Sequence, residues 1–183
     1  MKRTNYNRRT LRNFSRSQRG LGVIDVLLGL LLAALLGLGL YKAFGQGSNS
    51  GKINDENQAL VQAAGTIQAR CKAAGSYGAS GYDLSACIVK ADQVPAGWTN
   101  VGNTLTNNFS GPVTPKSTVT GFSITTGGLP DSVCHDVAVS NSLKGASVSI
   151  NSGSTSTTAV TDAVATAGCT AGTNNSITFT FPY

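Results

Sequence analysis

Few side chains in this sequence could do chemistry. Among its 183 residues there are four Cys, eight Asp or Glu and a single His, His135. Cys134-His135-Asp136, with Ser132 close by, brings together the residue types of a Cys/His or Ser/His/Asp nucleophilic centre. The run Cys134–Val139 reads as a β-strand, however, where adjacent side chains face opposite sides and do not converge. Cys134 also reads as disulfide-bonded. No Gly-rich phosphate loop, paired-Glu pattern or metal-ligand pattern occurs, and neither Cys71 with Cys87 nor Cys134 with Cys169 has the close spacing of structural zinc. The expectation is therefore no enzyme, no catalytic residue, no metal and no cofactor. One further reactive group stands out by its surroundings: Asp25 lies inside an apolar run, where a carboxylate is costly and marks function.

The elements around Asp25 explain the charge of the chain. The formal net charge is +6, but seven of the fourteen Lys and Arg residues lie in the first twenty positions, with no acidic residue among them. Residues 21–183 hold seven basic against eight acidic residues, a formal charge of −1. A nucleic-acid footprint belongs on the folded surface, so none is expected here. From Leu21 to Phe44 the only charges are Asp25 and Lys42. As a helix this stretch would be about 36 Å long, enough for a hydrocarbon core of about 30 Å. It is apolar on every side, unlike a helix lying on a soluble core. The basic block orients it with the N-terminus in the cytoplasm. A secretory signal cut after Gly45 would have a shorter apolar run and no use for Asp25.

Gln18-Arg19-Gly20 followed by Leu21-Gly22-Val23-Ile24-Asp25-Val26 resembles the prepilin processing site of type IV pilins and pseudopilins. The resemblance implies cleavage between Gly20 and Leu21 by a prepilin peptidase, N-methylation of Leu21, and retention of the apolar segment. It places Asp25 at the fifth mature position, where the family normally has Glu. The twenty-residue leader and mature Leu resemble the type IVb branch, of the conjugative thin-pilus or toxin-coregulated-pilus kind. After cleavage, Asp25 would stand one turn from a cationic α-amine at a helix start, which suits both the dipole and the amine. Between packed subunits such a charge pair would fix register.

Beyond Phe44, Gly45-Gln46-Gly47-Ser48-Asn49-Ser50-Gly51 reads as a soft joint. Ile53, Leu60, Val61, Ala64, Ile67 and Cys71 then recur at helical spacing, with Asp55 and Glu56 near the start, predicting an amphipathic helix over about 53–74 stopped by Gly75. Asp83–Val89 reads as a short helix or turn. Strands are predicted at Val119–Thr125, Cys134–Val139, Ala146–Asn151 and Ser176–Phe181, and Asn151–Thr161 reads as a solvated Ser/Thr-rich loop. Four cysteines outside the membrane should form disulfides. Three pairings are possible and spacing does not choose among them; the expectation taken here is Cys71–Cys87 and Cys134–Cys169. Leu129-Pro130-Asp131-Ser132-Val133-Cys134 resembles the element that opens the disulfide-bounded region of type IVb pilins, and Cys169 its close.

The reading is an α+β, pilin-like protein with a long N-terminal helical spine packed on a C-terminal antiparallel sheet. Residues 1–20 form a positively charged leader, 21–52 the apolar helix and joint, and 53–183 a periplasmic or extracellular domain. The resemblance implies a structural subunit, inserted in the inner membrane as a precursor. Its partners would be the peptidase, the pilus assembly machinery and further copies of itself, polymerised into a filament for adhesion, conjugation or motility. A minor pilin, a secretion pseudopilin and a secreted binding domain are the rival readings.

Overall fold

The computed structural model describes residues 23–140, 143, 145–153 and 160–182, the side chains of 23–25 and 35–48 apart. Ten elements follow in order: α1 (Val23–Arg70), α2 (Ser85–Lys90), β1 (Thr99–Val101), β2 (Thr104–Thr106), β3 (Pro112–Thr118), β4 (Gly121–Leu129), α3 (Asp131–Ser140), β5 (Ser147–Ile150), α4 (Asp162–Gly168) and β6 (Asn175–Pro182). The chain divides into two compact units at Ala43–Phe44.

The first unit contains the N-terminal part of α1. The second is an α+β domain on one antiparallel sheet of order β1-β2-β3-β4-β6-β5. In β6, Ile177, Phe179 and Phe181 are buried while Ser176, Thr178 and Thr180 are half-exposed, so the period-2 alternation of the sequence gives one inward and one outward face. On the inner face Phe122 stacks on its register partner Phe181 at 4.7 Å between ring centroids. On the outer face the paired Thr125 and Thr178 hydroxyls hydrogen-bond at 2.9 Å.

Within the second unit, α1 buries Glu56, Ala59, Leu60, Ala63, Ala64 and Ile67, which share one core with the inner sheet face, α2, α3 and α4. The spacing of three and four residues puts them on one helix face. Val61 was counted on that stripe, but it is 46 % exposed, because one residue beyond Leu60 lies about 100° round the helix. Glu56 is fully buried and accepts four hydrogen bonds. Its Oε2 receives Trp98 Nε1 (2.9 Å), Asn108 N (3.3 Å) and Asn108 Nδ2 (3.1 Å), and its Oε1 receives the Thr126 hydroxyl (3.1 Å). A carboxylate offers acceptors only, and here it meets four donors. Asn107 extends this network, donating from Nδ2 to Thr126 Oγ1 and the Gly127 carbonyl and accepting from Phe109 N and Gly111 N. Gly111 passes so close to β4 that a Cβ there would run into the Gly127 carbonyl oxygen. That approach coincides with the register shift between Thr126 and Leu129.

Several sequence expectations are corrected. The run Cys134–Val139 is part of helix α3, not a strand. Its buried Val133, Cys134, Val137 and Ala138 repeat at helical intervals, and the chain enters it through Pro130-Asp131, a helix-start signal that outweighs β-branched content. The strand expected at Val119–Thr125 begins at Gly121 and runs to Leu129, with Val119 81 % exposed before it. Helix α1 ends at Arg70, not at about 74. Ala74 and Gly75 both take positive φ, and Ala73 and Ser76 form a bridge. The backbone is helical through Gly45–Gly51, where a soft joint was expected. Glycine weakens a helix by about 1 kcal/mol per residue without forbidding it.

Cys71 is bonded to Cys87, tying the end of α1 to α2, and Cys134 to Cys169, tying α3 to the end of α4.

Candidate functional site

Two features could serve a function. The first is the N-terminal part of α1. Val26, Leu27, Leu28, Leu30, Leu31 and Leu32 are all large, aliphatic and between 49 % and 63 % exposed. At about 100° per residue they spread over about 240° of the helix circumference, so no single packed face would cover them. Burying what is exposed would be worth roughly 5–10 kcal/mol per chain by area. Among the described residues no helix is long and apolar enough to cross a membrane. Gly20 and Leu21 lie outside the described residues, and Asp25 is in the helical backbone of α1 with its side chain outside them.

The second feature is the region closed by Cys134–Cys169. Helix α3 begins with Cys134 N donating to the Pro130 carbonyl, and Asp131 N donates to the Gly172 carbonyl, pulling the two ends of the region together. Helix α4 is capped by Thr161, whose hydroxyl accepts from Val164 N. Asn175, nearly fully buried at the start of β6, holds the closing turn. It donates to the Leu129 and Thr170 carbonyls and accepts from Thr170 N and Asn151 Nδ2. Asn151 in turn donates to the Gly168 carbonyl and accepts from Ser176 N.

His135 faces a shallow cavity of about 350 Å³ that Asp131, Ser132, Asp136, Thr166 and Cys169 also line. Helical spacing therefore does bring Ser132, His135 and Asp131 to one place, contrary to the strand expectation. The arrangement is not a nucleophilic centre. His135 Nδ1 lies 3.2 Å from Asp136 Oδ1 and Nε2 lies 2.9 Å from Asp162 Oδ1, so both ring nitrogens are engaged by carboxylates. Neither is left to act as a base toward Ser132, and Cys134 is oxidised. The hydrogen bond with Asp136 raises the imidazole pKa above its usual value, partial burial opposes this, and the charge of Asp162 adds to the rise. Asp162 is the nearer partner but the more exposed, so solvent screens it more.

The family model described as PilS N terminal matches residues 52–182, well over half of the chain. The chain belongs to this family of type IV pilins. A crystal structure of a type IVb pilin from Salmonella typhi is similar to it, with 20 % sequence identity, a TM-score of 0.56, and coverage of 73 % of this chain and 99 % of that one. At that identity the likeness speaks for the fold, which is the α+β pilin fold. No curated protein matches the chain.

In this pilin the structurally decisive residues missed by sequence reading are Glu56, Asn151 and Asn175. For Glu56 a signal was present: it sits three and four residues before Ala59 and Leu60, on the apolar stripe itself. The asparagines carried no such mark, because their partners come from segments up to 46 residues away.

Proposed function

We propose that this pilin is a filament subunit made as an inner-membrane precursor, cut between Gly20 and Leu21 by a prepilin peptidase, methylated on Leu21, and polymerised through its N-terminal helix into an extracellular pilus. The observation that carries the proposal is the run from Val26 to Leu32, exposed all round the helix at the head of a pilin domain. Such a surface suits lipid before assembly and a bundle of identical helices afterwards. Asp25 would then pair with the α-amine of a neighbouring subunit and set the register. Asp is one methylene shorter than Glu, so this pairing would need a closer approach.

Filament yield tests the reading. In cells carrying the matching peptidase and assembly machinery, Asp25→Asn and Leu31→Asp should each reduce surface filaments about tenfold or more while leaving the fluorescence of Trp98 in the folded domain unchanged. Normal piliation by both variants would contradict the proposal.

A further inference from the structure

Between the end of α1 and α2 lies an open cavity of about 380 Å³, lined by Arg70, Tyr82, Ala86, Cys87, Lys90 and Ala91. Its floor is small and apolar, Ala86, Cys87 and Ala91 being half-buried, and its rim is made of the exposed Arg70, Tyr82 and Lys90. Of the six Lys and Arg residues from position 52 onward, Arg70, Lys72 and Lys90 all fall within twenty-one residues, in a domain that is otherwise acidic. Cations at the last turns of α1 and α2 are what the helix dipoles favour, and by themselves they make no site. Two further observations point to a ligand.

The first is Tyr82, 60 % exposed beside both cations. Its backbone is fixed from both sides: Tyr82 N donates to Ser117 Oγ (3.1 Å) and its carbonyl accepts from Ser117 N (2.9 Å). The second is preorganisation. The Cys71–Cys87 bond joins the residue after Arg70 to the floor of the cavity, so little ordering remains to be done on binding. Among the described residues neither Arg70 nor Lys90 forms an ion pair with a carboxylate, and Asp83 Oδ1 accepts from Ser85 N at 2.8 Å.

We infer that this cavity is a binding site for an acidic saccharide. The apolar face of a pyranose ring would lie against Tyr82, and its carboxylate would sit between the Arg70 fork and the Lys90 ammonium. Arginine matches a carboxylate with two parallel hydrogen bonds, lysine adds a point charge, and an exposed aromatic ring supplies apolar contact without losing its wet edge. The volume is within the range of about 300–1,000 Å³ typical of small-molecule sites. Neutral sugars lack the group that the rim is built to hold.

Calorimetric titration of the full-length protein in a neutral detergent tests this apart from any filament. The probes are trigalacturonate, its methyl ester and inorganic phosphate. Trigalacturonate should bind and weaken with added salt, and Arg70→Gln, Lys90→Gln and Tyr82→Ala should each lower its affinity, the charge variants about tenfold or more. Lys52→Gln, with its ammonium 6.0 Å from the Phe109 ring centroid, should have no effect. Absence of saturable trigalacturonate binding, or equal affinity for the methyl ester, would overturn the inference. So would phosphate binding as tightly with no contribution from Tyr82, which would mark an ion site only.

Discussion

Removing the Glu56 carboxylate is the sharpest perturbation of the pilin domain. Glu56→Ala leaves four donors without their acceptor. Asn108 is near enough to the surface to find water, but Trp98 Nε1 and the Thr126 hydroxyl belong to residues only 6 % and 0 % exposed. A buried donor left unpaired costs about 1–3 kcal/mol. With the space vacated by the side chain, the loss should total about 3–5 kcal/mol. For a chain of this size that lowers Tm by about 6–20 °C. Glu56→Gln keeps the shape but turns an amide group toward donors, and should cost less, about 1–3 kcal/mol. Thermal unfolding followed by circular dichroism gives the magnitude. Trp98 is the one tryptophan of the sequence, so its emission reports the contact itself and should change in Glu56→Ala before any unfolding. A Tm within about 2 °C of the parent, with unchanged emission, would refute the reasoning that this carboxylate fastens α1 to the sheet.

Further outcomes follow from the outer region. The raised pKa of His135 means that its pairing with Asp136 and Asp162 stabilises fully below the ordinary histidine value of 6.5 and is lost as pH rises through the higher folded value. Stability should therefore fall as pH rises above about 6.5, and His135→Gln should flatten that part of the profile in denaturant titrations; an unchanged profile would contradict the assignment. Opening the Cys134–Cys169 bond, which spans 35 residues, should cost about 4 kcal/mol. Opening Cys71–Cys87, which spans 16, should cost about 3 by the loop-entropy relation. Paired Ser substitutions and denaturant midpoints test the order, and a larger loss from the shorter loop would count against that relation here.

The sequence showed the fold wherever a pattern was local and periodic. The alternation of Ile177, Phe179 and Phe181 and the stripe through Leu60, Ala64 and Ile67 can be read directly, because burial follows the strand and helix periods. Helix α3 was misread because Val133, Val137 and Val139 are β-branched, and tertiary packing outweighed that preference once Pro130-Asp131 had started a helix. Strands β1 to β3 were missed for the opposite reason. They are short or carry Pro112 and Pro115, and they exist as strands through their neighbours: Val113 pairs with Thr126, and the Pro115 carbonyl accepts from Leu84 N. Glu56 read only as an acidic residue near a helix start because the donors that bury it lie 42 to 70 residues further on. His135 was singled out for its residue type beside Asp136, but its second carboxylate partner, Asp162, became visible only when α3 met α4.

The central claim is that this pilin enters a filament after its basic leader has been removed. The direct measurement is the N-terminal residue, with its modification, of the subunit recovered from purified filaments and read by mass spectrometry. Methyl-Leu21 is the result expected. A mature chain beginning at Gln46, or one still beginning at Met1, would contradict it.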